Sequence, residues 1–298
     1  MKCFHIGLNI MICKVGMLFI TRSVSTVDVW MYTMLTHKIF NIANCSIEIA
    51  NSLSLPSCWK KFQVFHQPKR LVMHIADMES KAFYYGTTFF DLSSNCSYLL
   101  QNDLGFFLVN DDWTEGRVIS PKAGMDRFLL SMFAANVLKE KGMILHSSLI
   151  DHRGHGLMFL GPSGIGKTTQ AELWNKYRDA LIINGDIVFV QETDDGFLGW
   201  GTPWHGSSPY CENTSVPLKA MIVLKQAPEN SIRELTGFEK VTEVSNSVFY
   251  PQWLENGMEL CLETLDHLLT RIPVYELSCR PDEDAVRLAE EAVFGSCG

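Results

Sequence analysis

The sequence predicts an α/β protein of the mixed α+β type, in which a β-rich N-terminal region precedes a domain with a mixed, largely antiparallel sheet. Short apolar segments recur through residues 34–120, and turn sequences separate them, a pattern typical of strands. A glycine-rich loop at 161–169 stands between an apolar segment and a segment with helical spacing. Turn sequences on both sides of this loop indicate hairpins in place of helical crossovers.

Composition and charge argue against several classes of protein. The 298 residues are 47% hydrophobic and 19% charged, as in a globular protein with a buried core. The net charge is −8 and no run concentrates Lys and Arg, so a nucleic-acid partner is not expected. Nine cysteines occur singly, which indicates neither a zinc site nor a disulfide framework and fits a reducing cytoplasm. The longest clean apolar run near the N-terminus, 15–20, is too short to span a bilayer, so no membrane partner is expected.

Three regions are expected along the chain. Residues 1–33 are interpreted as an N-terminal extension that is either misassigned, with Met31 or Met34 as the real start, or disordered. Residues 34–120 form the β-rich region, with strands predicted at 38–49 (two strands and a turn), 72–75, 82–87, 106–109 and 117–120. Residues 121–298 form the second domain, whose first helix is predicted at 126–141 and ends at Gly142.

The glycine-rich loop reads GPSGIGKTT and fits the pattern G-x-x-x-x-G-K-[ST] at every fixed position. In such a loop the glycines let backbone N–H groups point at phosphate oxygens. The lysine, here Lys167, reaches the β- and γ-phosphates, and the hydroxyl of Thr168 binds Mg²⁺. The expected ligands are therefore ATP and Mg²⁺. The predicted nucleotide-binding residues are Gly161, Pro162, Ser163, Gly164, Ile165, Gly166, Lys167, Thr168 and Thr169.

The segments around the loop have the order that a phosphate site requires. Strands are predicted at 143–150 and 156–160, and a helix at 168–177 places its positive N-terminal end beside the phosphates. Further strands are predicted at 180–183, 187–191 and 197–200, with tight turns between them. Two helices near the C-terminus, predicted at 251–272 and 283–294, are interpreted as packing elements.

Residues 144–190 resemble the HPr kinase/phosphorylase and phosphoenolpyruvate carboxykinase group of phosphate-loop proteins. In that group a strand with a histidine precedes the loop, matched here by His146, and an acidic pair ends the next strand. Gly185 and Asp186 hold that place here, so the pair is reduced to one carboxylate. Segments within 201–282 resemble short HPr-kinase-like proteins encoded beside peptide-modification genes, and the resemblance covers roughly 34–295.

The resemblance implies ATP-dependent transfer of the γ-phosphoryl group to a hydroxyl, in particular a Ser of a protein or precursor peptide. It implies that Asp186 binds the metal with Thr168, acts as general base on the attacking hydroxyl, or does both. It places His146 near the γ-phosphate or the acceptor, where an imidazole can donate a hydrogen bond. The expected catalytic residues are Asp186, His146 and Lys167, and the sequence is compatible with a homo-oligomer.

Several polar residues near these segments have no pattern that assigns them a role. The segment 201–208 (GTPWHGSS) is equally typical of a loop that closes over a substrate and of a structural turn packed around a tryptophan. Three arginines could supply positive charge to a transition state, and the sequence does not choose among them. Two histidines in a turn are expected to be solvated. The polar residues of the segment 201–208 are His205, Ser207 and Ser208. The three arginines are Arg233, Arg271 and Arg280, and the two histidines of the turn are His152 and His155.

Two alternative functions stay open beside the phosphotransferase. A non-catalytic nucleotide-binding module that assists a peptide-maturation system is compatible with a single carboxylate at Asp186. A switch or transport ATPase is compatible with the loop, although no L-S-G-G-Q-like signature follows it.

Overall fold

In the computed structural model, the described residues are 3–6, 10–14, 37–50, 55–68, 70–75, 98–102, 105–119 and 125–295. They form helices and two sheets, of which each contains parallel and antiparallel pairs, so the predicted mixed α+β class is confirmed. The chain divides into two compact units, Met1–Asn136 and Val137–Gly298. Among the described residues, no helix has the length and apolar character that crossing a bilayer requires.

The first unit contains a nine-stranded sheet and a short 3₁₀ helix, Ser57–Phe62. Its strands are β1 (Cys3–Ile6), β2 (Ile10–Lys14), β3 (His37–Ile42), β4 (Cys45–Ala50), β5 (Gln63–Val64), β6 (Leu71–Ile75), β7 (Tyr98–Asn102), β8 (Gly105–Val109) and β9 (Glu115–Ile119). They lie in the order β1-β2-β7-β8-β9-β6-β4-β3-β5. The strands predicted at 38–49, 72–75, 106–109 and 117–120 are confirmed within two residues. The strand predicted at 82–87 lies outside the described residues.

The second unit carries the glycine-rich loop at 161–169, hereafter the phosphate loop, and most of the described helices. Helix α1 (Met125–Leu138) contains the division between the units. The remaining elements are β10 (Gly142–His152), β11 (His155–Leu160), α2 (Lys167–Arg178), β12 (Leu181–Asn184), β13 (Ile187–Thr193), β14 (Gly196–Trp200), β15 (Ser215–Gln226), β16 (Ser231–Leu235), α3 (Gly237–Ser245), α4 (Gly257–Arg271), β17 (Val274–Cys279) and α5 (Glu283–Phe294).

The strand β10 organises the second sheet, because different parts of it pair with three neighbours. It forms an antiparallel hairpin with β11, pairs with β13 through 142–146 and pairs with β12 through 149–151. The turn at 184–186 therefore joins two strands that pair with β10 and not with each other, so the hairpin expected there is wrong. The β13–β14 hairpin is confirmed. Parallel pairs also occur, since β15 lies parallel to both β11 and β17.

The phosphate loop leaves the sheet from β11, which is buried on both faces. Met158 and Leu160 belong to one core cluster, which also includes α4 residues. Leu157 and Phe159 belong to a second cluster, packed against α2 and α5. A strand covered on both faces needs a continuous apolar sequence, which explains the run GLMFL before the loop.

Two helix boundaries differ from the prediction. Helix α4 begins at Gly257 and ends at Arg271, so the helix predicted at 251–272 is too long at its start. Pro251 lies among turns that precede it, because Leu254 N–H donates to Pro251 O at 3.1 Å. Gly142 does not end α1 but opens β10. A Cβ at Gly142 would lie 2.2 Å from the Phe189 ring, so glycine is required there by a close approach.

His152 is buried in the second core, and the expectation that it is solvated is wrong. Its side chain is 3% exposed and contacts the rings of Trp174 and Phe294 at centroid distances of 5.2 and 5.6 Å. Burial lowers the pKa of His152, and the nearby positive charge of Arg153 lowers it further, whereas Glu290 acts in the opposite direction. The neutral imidazole is therefore favoured in the folded protein. His155, in contrast, is exposed as expected.

This burial predicts that acid destabilises the fold through His152. Its pKa in the folded chain lies below the ordinary value of 6.5, so the unfolded chain binds more protons as the pH falls through 6.5. We expect the free energy of unfolding in urea to fall between pH 7.5 and pH 5 in the wild type, and to fall less in His152→Leu. The matched control His155→Leu keeps the wild-type acid sensitivity. An equal acid loss in wild type and His152→Leu contradicts the prediction.

Candidate functional site

The phosphate loop occupies the connection between β11 and α2, as the sequence predicts. Three of its glycines have positive φ angles, +136° at Gly161, +81° at Gly164 and +115° at Gly166, a region that side chains rarely adopt. Gly166 directly precedes the first residue of α2, so the loop opens onto the helix N-terminus. The unpaired N–H groups of this helix end are the standard protein feature for binding a phosphate.

Lys167 is the first residue of α2 and points back into the loop. Its side chain is buried, and its Nζ donates to the carbonyl oxygens of Gly161 at 3.0 Å and Pro162 at 3.2 Å. Burial lowers the pKa of the Lys167 ammonium, and the carboxylate of Asp186 acts in the opposite direction. The ammonium is therefore held inside the loop by its two carbonyl partners.

Two hydroxyls tie the start of α2 to the neighbouring strands. Ser148, buried in β10, donates through Oγ to the carbonyl of Lys167 at 2.9 Å. Thr168 donates through Oγ1 to the carbonyl of Gly185 at 3.2 Å. Thr168 and the turn after β12 are thus in direct contact, which brings the predicted metal residues Thr168 and Asp186 to one side of the loop.

A buried amide shapes the turn that carries Asp186. Asn184 is fully buried, and its Oδ1 accepts from the backbone N–H groups of Asp186 at 2.8 Å and Ile187 at 3.1 Å. Its Nδ2 donates to the carbonyl of Thr202 at 2.9 Å. One side chain therefore fixes both the Asp186 turn and the following loop. The Asn-Gly-Asp sequence predicts a turn, but it does not predict the structural role of Asn184.

His146 and Asp186 form a direct pair. His146 Nε2 lies 3.0 Å from Asp186 Oδ1, and the two side chains are 31% and 30% exposed. Neighbouring backbone bonds hold both residues, since Ser147 N–H donates to Asp186 O at 2.9 Å and His146 N–H donates to Ser247 O at 2.7 Å. The sequence named both residues as catalytic candidates but gave no sign of the contact between them, which depends on the antiparallel register of β10 and β13.

The segment after β14 lies against this pair. His205 Nδ1 is in contact with the carbonyl of Ser208, whose N–H donates to the carbonyl of His205 at 3.0 Å, so 205–208 form a closed turn. Gly206 in this turn has a φ of +58°, and a Cβ there would lie 2.5 Å from Asp186 Oδ2. The backbone at Gly206 therefore lies so close to Asp186 that a Cβ at this position would collide with its carboxylate.

These residues surround a cavity of about 260 Å³. Its lining includes every predicted catalytic residue, most of the loop, and three of the polar residues that have no role assigned by the sequence. Its lining consists of His146, Ser163, Gly164, Gly166, Lys167, Thr168, Thr169, Gly185, Asp186, His205, Ser207 and Ser208. Gly161, Pro162 and Ile165 belong to the loop but not to this lining. Among the lining residues, Lys167 alone carries a fixed positive charge.

None of the three candidate arginines lines this cavity. Arg233 is paired with Glu239 and Glu276, and Arg271 is paired with Glu192. Arg280 lies beside a second cavity of about 370 Å³ on another side of the loop. That cavity is also lined by Ile165, Thr169, Gln170, Leu224 and Pro281.

The close approach at Gly206 predicts a selective effect of substitution. In Gly206→Ala the new Cβ must displace the carboxylate of Asp186, and the left-handed backbone adds strain of about 1–2 kcal/mol. If the pair with His146 takes part in phosphoryl transfer, we expect the transfer rate to fall about 10²-fold, since small misplacements of reacting groups cost that much. Nucleotide affinity should change far less.

The matched control is Gly154→Ala in the β10–β11 turn. Gly154 has a φ of +81° with nothing within 4 Å of a new Cβ, so this variant carries backbone strain without touching the cavity. Thermal unfolding and transfer rate are measured for both variants. Equal losses of rate in the two would contradict a role for the Gly206–Asp186 contact.

The structure resembles that of the Hpr(Ser) kinase/phosphatase from Coxiella burnetii with a TM-score of 0.32 and 9% identity. The match covers 50% of this chain and 95% of that chain. No curated protein matches the sequence.

A family model matches residues 123–281, which are just over half of the chain and include the phosphate loop, His146 and Asp186. The description of this family is SynChlorMet cassette protein ScmC. The chain therefore belongs to the family of the SynChlorMet cassette protein ScmC.

Proposed function

We propose that this protein is an ATP-dependent phosphotransferase of the HPr kinase-like type that transfers the γ-phosphoryl group to a Ser hydroxyl of a protein or peptide. The single observation that carries the proposal is the His146–Asp186 pair at 3.0 Å, in the same cavity as Lys167 and Thr168. A phosphate loop by itself indicates a nucleotide. A partly exposed acid–base pair beside it provides a group that can accept the proton of the acceptor hydroxyl.

The residues fit a nucleotide with Mg²⁺. The oxygen atoms of Thr168 and Asp186 are donors that Mg²⁺ prefers, and Thr168 Oγ1 already contacts the turn that carries Asp186. When bound, Mg²⁺ would neutralise charge on the phosphates. Lys167, which is the lining residue with a fixed positive charge, would bind the phosphate oxygens and stabilise charge that develops on them.

The His146–Asp186 pair would accept the proton of the acceptor hydroxyl. Transfer forms a bond from the serine oxygen to the γ-phosphorus and breaks the bond from that phosphorus to the β,γ-bridging oxygen, which leaves with ADP. The serine proton passes to the His146–Asp186 pair and then to water. His146 Nε2 lies 3.0 Å from Asp186 Oδ1, so a positive charge on the imidazole and the negative charge of the carboxylate would stabilise each other during this step.

A protein or peptide acceptor is favoured over a small molecule by the surface beside His146. The centroid of the Phe249 ring lies 6.4 Å from that of the His146 ring, and Phe249 is 37% exposed as a residue. Its backbone N–H donates to Ile144 O at 2.9 Å, which fixes the segment next to β10. An exposed aromatic ring at this position offers apolar contact to a peptide chain. The family is that of a cassette protein, which is consistent with an acceptor encoded by a neighbouring gene.

The test is transfer of label from [γ-³²P]ATP with Mg²⁺ to the proteins and peptides encoded beside this gene. Each acceptor is compared with a version in which its serines are replaced by alanine. Label on the serine acceptor, with equimolar ADP, is expected. Label that persists on the alanine version would argue against a Ser acceptor, and ATP consumption without any labelled acceptor would favour the switch ATPase.

The second candidate is a non-catalytic nucleotide-binding module. One observation favours it, because Asp186 is the only carboxylate among the residues that line the cavity. This candidate predicts that ATP binds and is recovered intact after long incubation with every acceptor. Any ADP formation that depends on Asp186 excludes it.

A further inference from the structure

A buried serine hydroxyl fills the space beside Gly185. Ser208 is 8% exposed, and a Cβ built on Gly185 would lie 2.0 Å from Ser208 Oγ. The same Cβ position lies 3.7 Å from Thr168 Oγ1. The hydroxyls of Ser208 and Thr168 therefore both lie near the position that a side chain of residue 185 would take, and Ser208 fills it.

The position of Ser208 is set by hydrogen bonds of its own loop. Its Oγ accepts from the backbone N–H of Tyr210 at 3.3 Å, and its N–H donates to His205 O at 3.0 Å. Tyr210 in turn donates through its hydroxyl to Glu172 on α2 at 3.2 Å. A hydroxyl oxygen has two lone pairs, so the bond from Tyr210 leaves one of them available to a further partner.

We propose that Ser208 Oγ is a ligand of the Mg²⁺ that accompanies the bound nucleotide, together with Thr168 and Asp186; this rests on the nucleotide site proposed above. All three side chains line the same cavity and offer oxygen atoms, which hard cations prefer. The site contains one carboxylate, and a neutral hydroxyl supplies the further oxygen in the space beside Gly185. Ser208 thereby belongs to the metal site and not only to a structural turn.

Gly185 is part of the same arrangement. Any side chain there would collide with both Oγ and Cβ of Ser208, at 2.0 and 2.5 Å. Gly185→Ala should therefore displace the Ser208 hydroxyl from Thr168 while leaving every oxygen ligand in the sequence. The inference predicts that Gly185→Ala and Ser208→Ala weaken metal-dependent nucleotide binding to a similar extent.

The decisive experiment exchanges the oxygen of Ser208 for sulfur and varies the metal. The affinity for ATP is measured by calorimetry with Mg²⁺, Mn²⁺ or Cd²⁺ and with EDTA, for wild type, Ser208→Ala and Ser208→Cys. A thiolate binds soft cations better than hard ones. We expect Ser208→Cys to lose about 10-fold in affinity with Mg²⁺ and to recover most of it with Cd²⁺, whereas Ser208→Ala recovers with neither metal.

The control is Ser231→Cys in β16, an exposed serine outside the lining of this cavity, and its metal preference should equal that of the wild type. Thermal unfolding of each variant separates misfolding from loss of a ligand. Equal losses with every metal in Ser208→Cys, or no loss in either Ser208 variant, would overturn the inference and leave the nucleotide site intact. Failure of the wild type to bind ATP in a metal-dependent way would overturn the proposed function as well.

Discussion

Replacement of Lys167 by alanine is expected to abolish most of the activity while leaving the fold intact. Lys167 is the lining residue of the loop cavity with a fixed positive charge, and its Nζ sits among the loop carbonyls. Removing one such donor from a charge-stabilising site lowers a rate by about 10²–10³-fold. We expect that loss in phosphoryl transfer, together with a clear loss of ATP affinity in EDTA, where the metal makes no contribution.

The stability of Lys167→Ala should not fall, in contrast to its activity. Burial lowers the pKa of Lys167, so the folded protein bears a cost for holding this charge inside the loop. The melting temperature of Lys167→Ala should equal or exceed that of the wild type. The matched control is Lys176→Ala, an exposed lysine on the same helix, with no change in affinity. Unchanged ATP affinity in Lys167→Ala would mean that the loop does not bind phosphates.

The second large effect is expected in Asp186→Asn. The amide keeps the size of the side chain but removes its charge and basicity. Loss of a general acid–base group costs about 10²–10⁴-fold in rate. We expect a loss of that size in transfer, while ATP affinity in EDTA is retained, because the phosphate contacts come from the loop and Lys167. The concentration of Mg²⁺ that gives half of the full affinity should rise.

Two further variants make this result specific. His146→Gln removes the partner at 3.0 Å, so the double variant with Asp186→Asn should be little worse than Asp186→Asn alone. Asp195→Asn, in the exposed β13–β14 turn, should match the wild type. Fully additive losses in the double variant would show that His146 and Asp186 act separately, and a normal rate in Asp186→Asn would exclude it as the base.

The elements that the sequence predicted well are those with strong local signals. The strand before the loop carries an uninterrupted apolar run, α2 follows a glycine-rich turn, and α5 occurs where it was predicted, at Glu283–Phe294. Its start is marked locally, because Asp282 accepts from Ala285 N–H and caps the helix. The helix predicted at 251–272 is too long at its start. Apolar residues also occur in the turns before Gly257, and their spacing does not distinguish these turns from a helix.

The failures around the site concern pairing between distant segments. The turn at 184–186 has the composition of a hairpin turn, yet β12 and β13 each pair with β10. Local turn chemistry specifies a reversal of the chain but not which strand the next segment will join. The expectation that His152 is solvated is wrong for a related reason. Its own segment is a turn, and its burial comes from Trp174 and Phe294, which are distant in sequence.

By itself the sequence determined a glycine-rich loop of the phosphate-loop pattern between a strand and a helix, since its glycines, Lys167 and Thr168 occur at a fixed local spacing. It also named His146 and Asp186 through a resemblance. Only the tertiary structure decided that His146 Nε2 and Asp186 Oδ1 lie 3.0 Å apart, and that Ser208 fills the space beside Gly185. Both contacts join segments far apart in the chain, so they depend on strand register and loop anchoring, which no local pattern encodes.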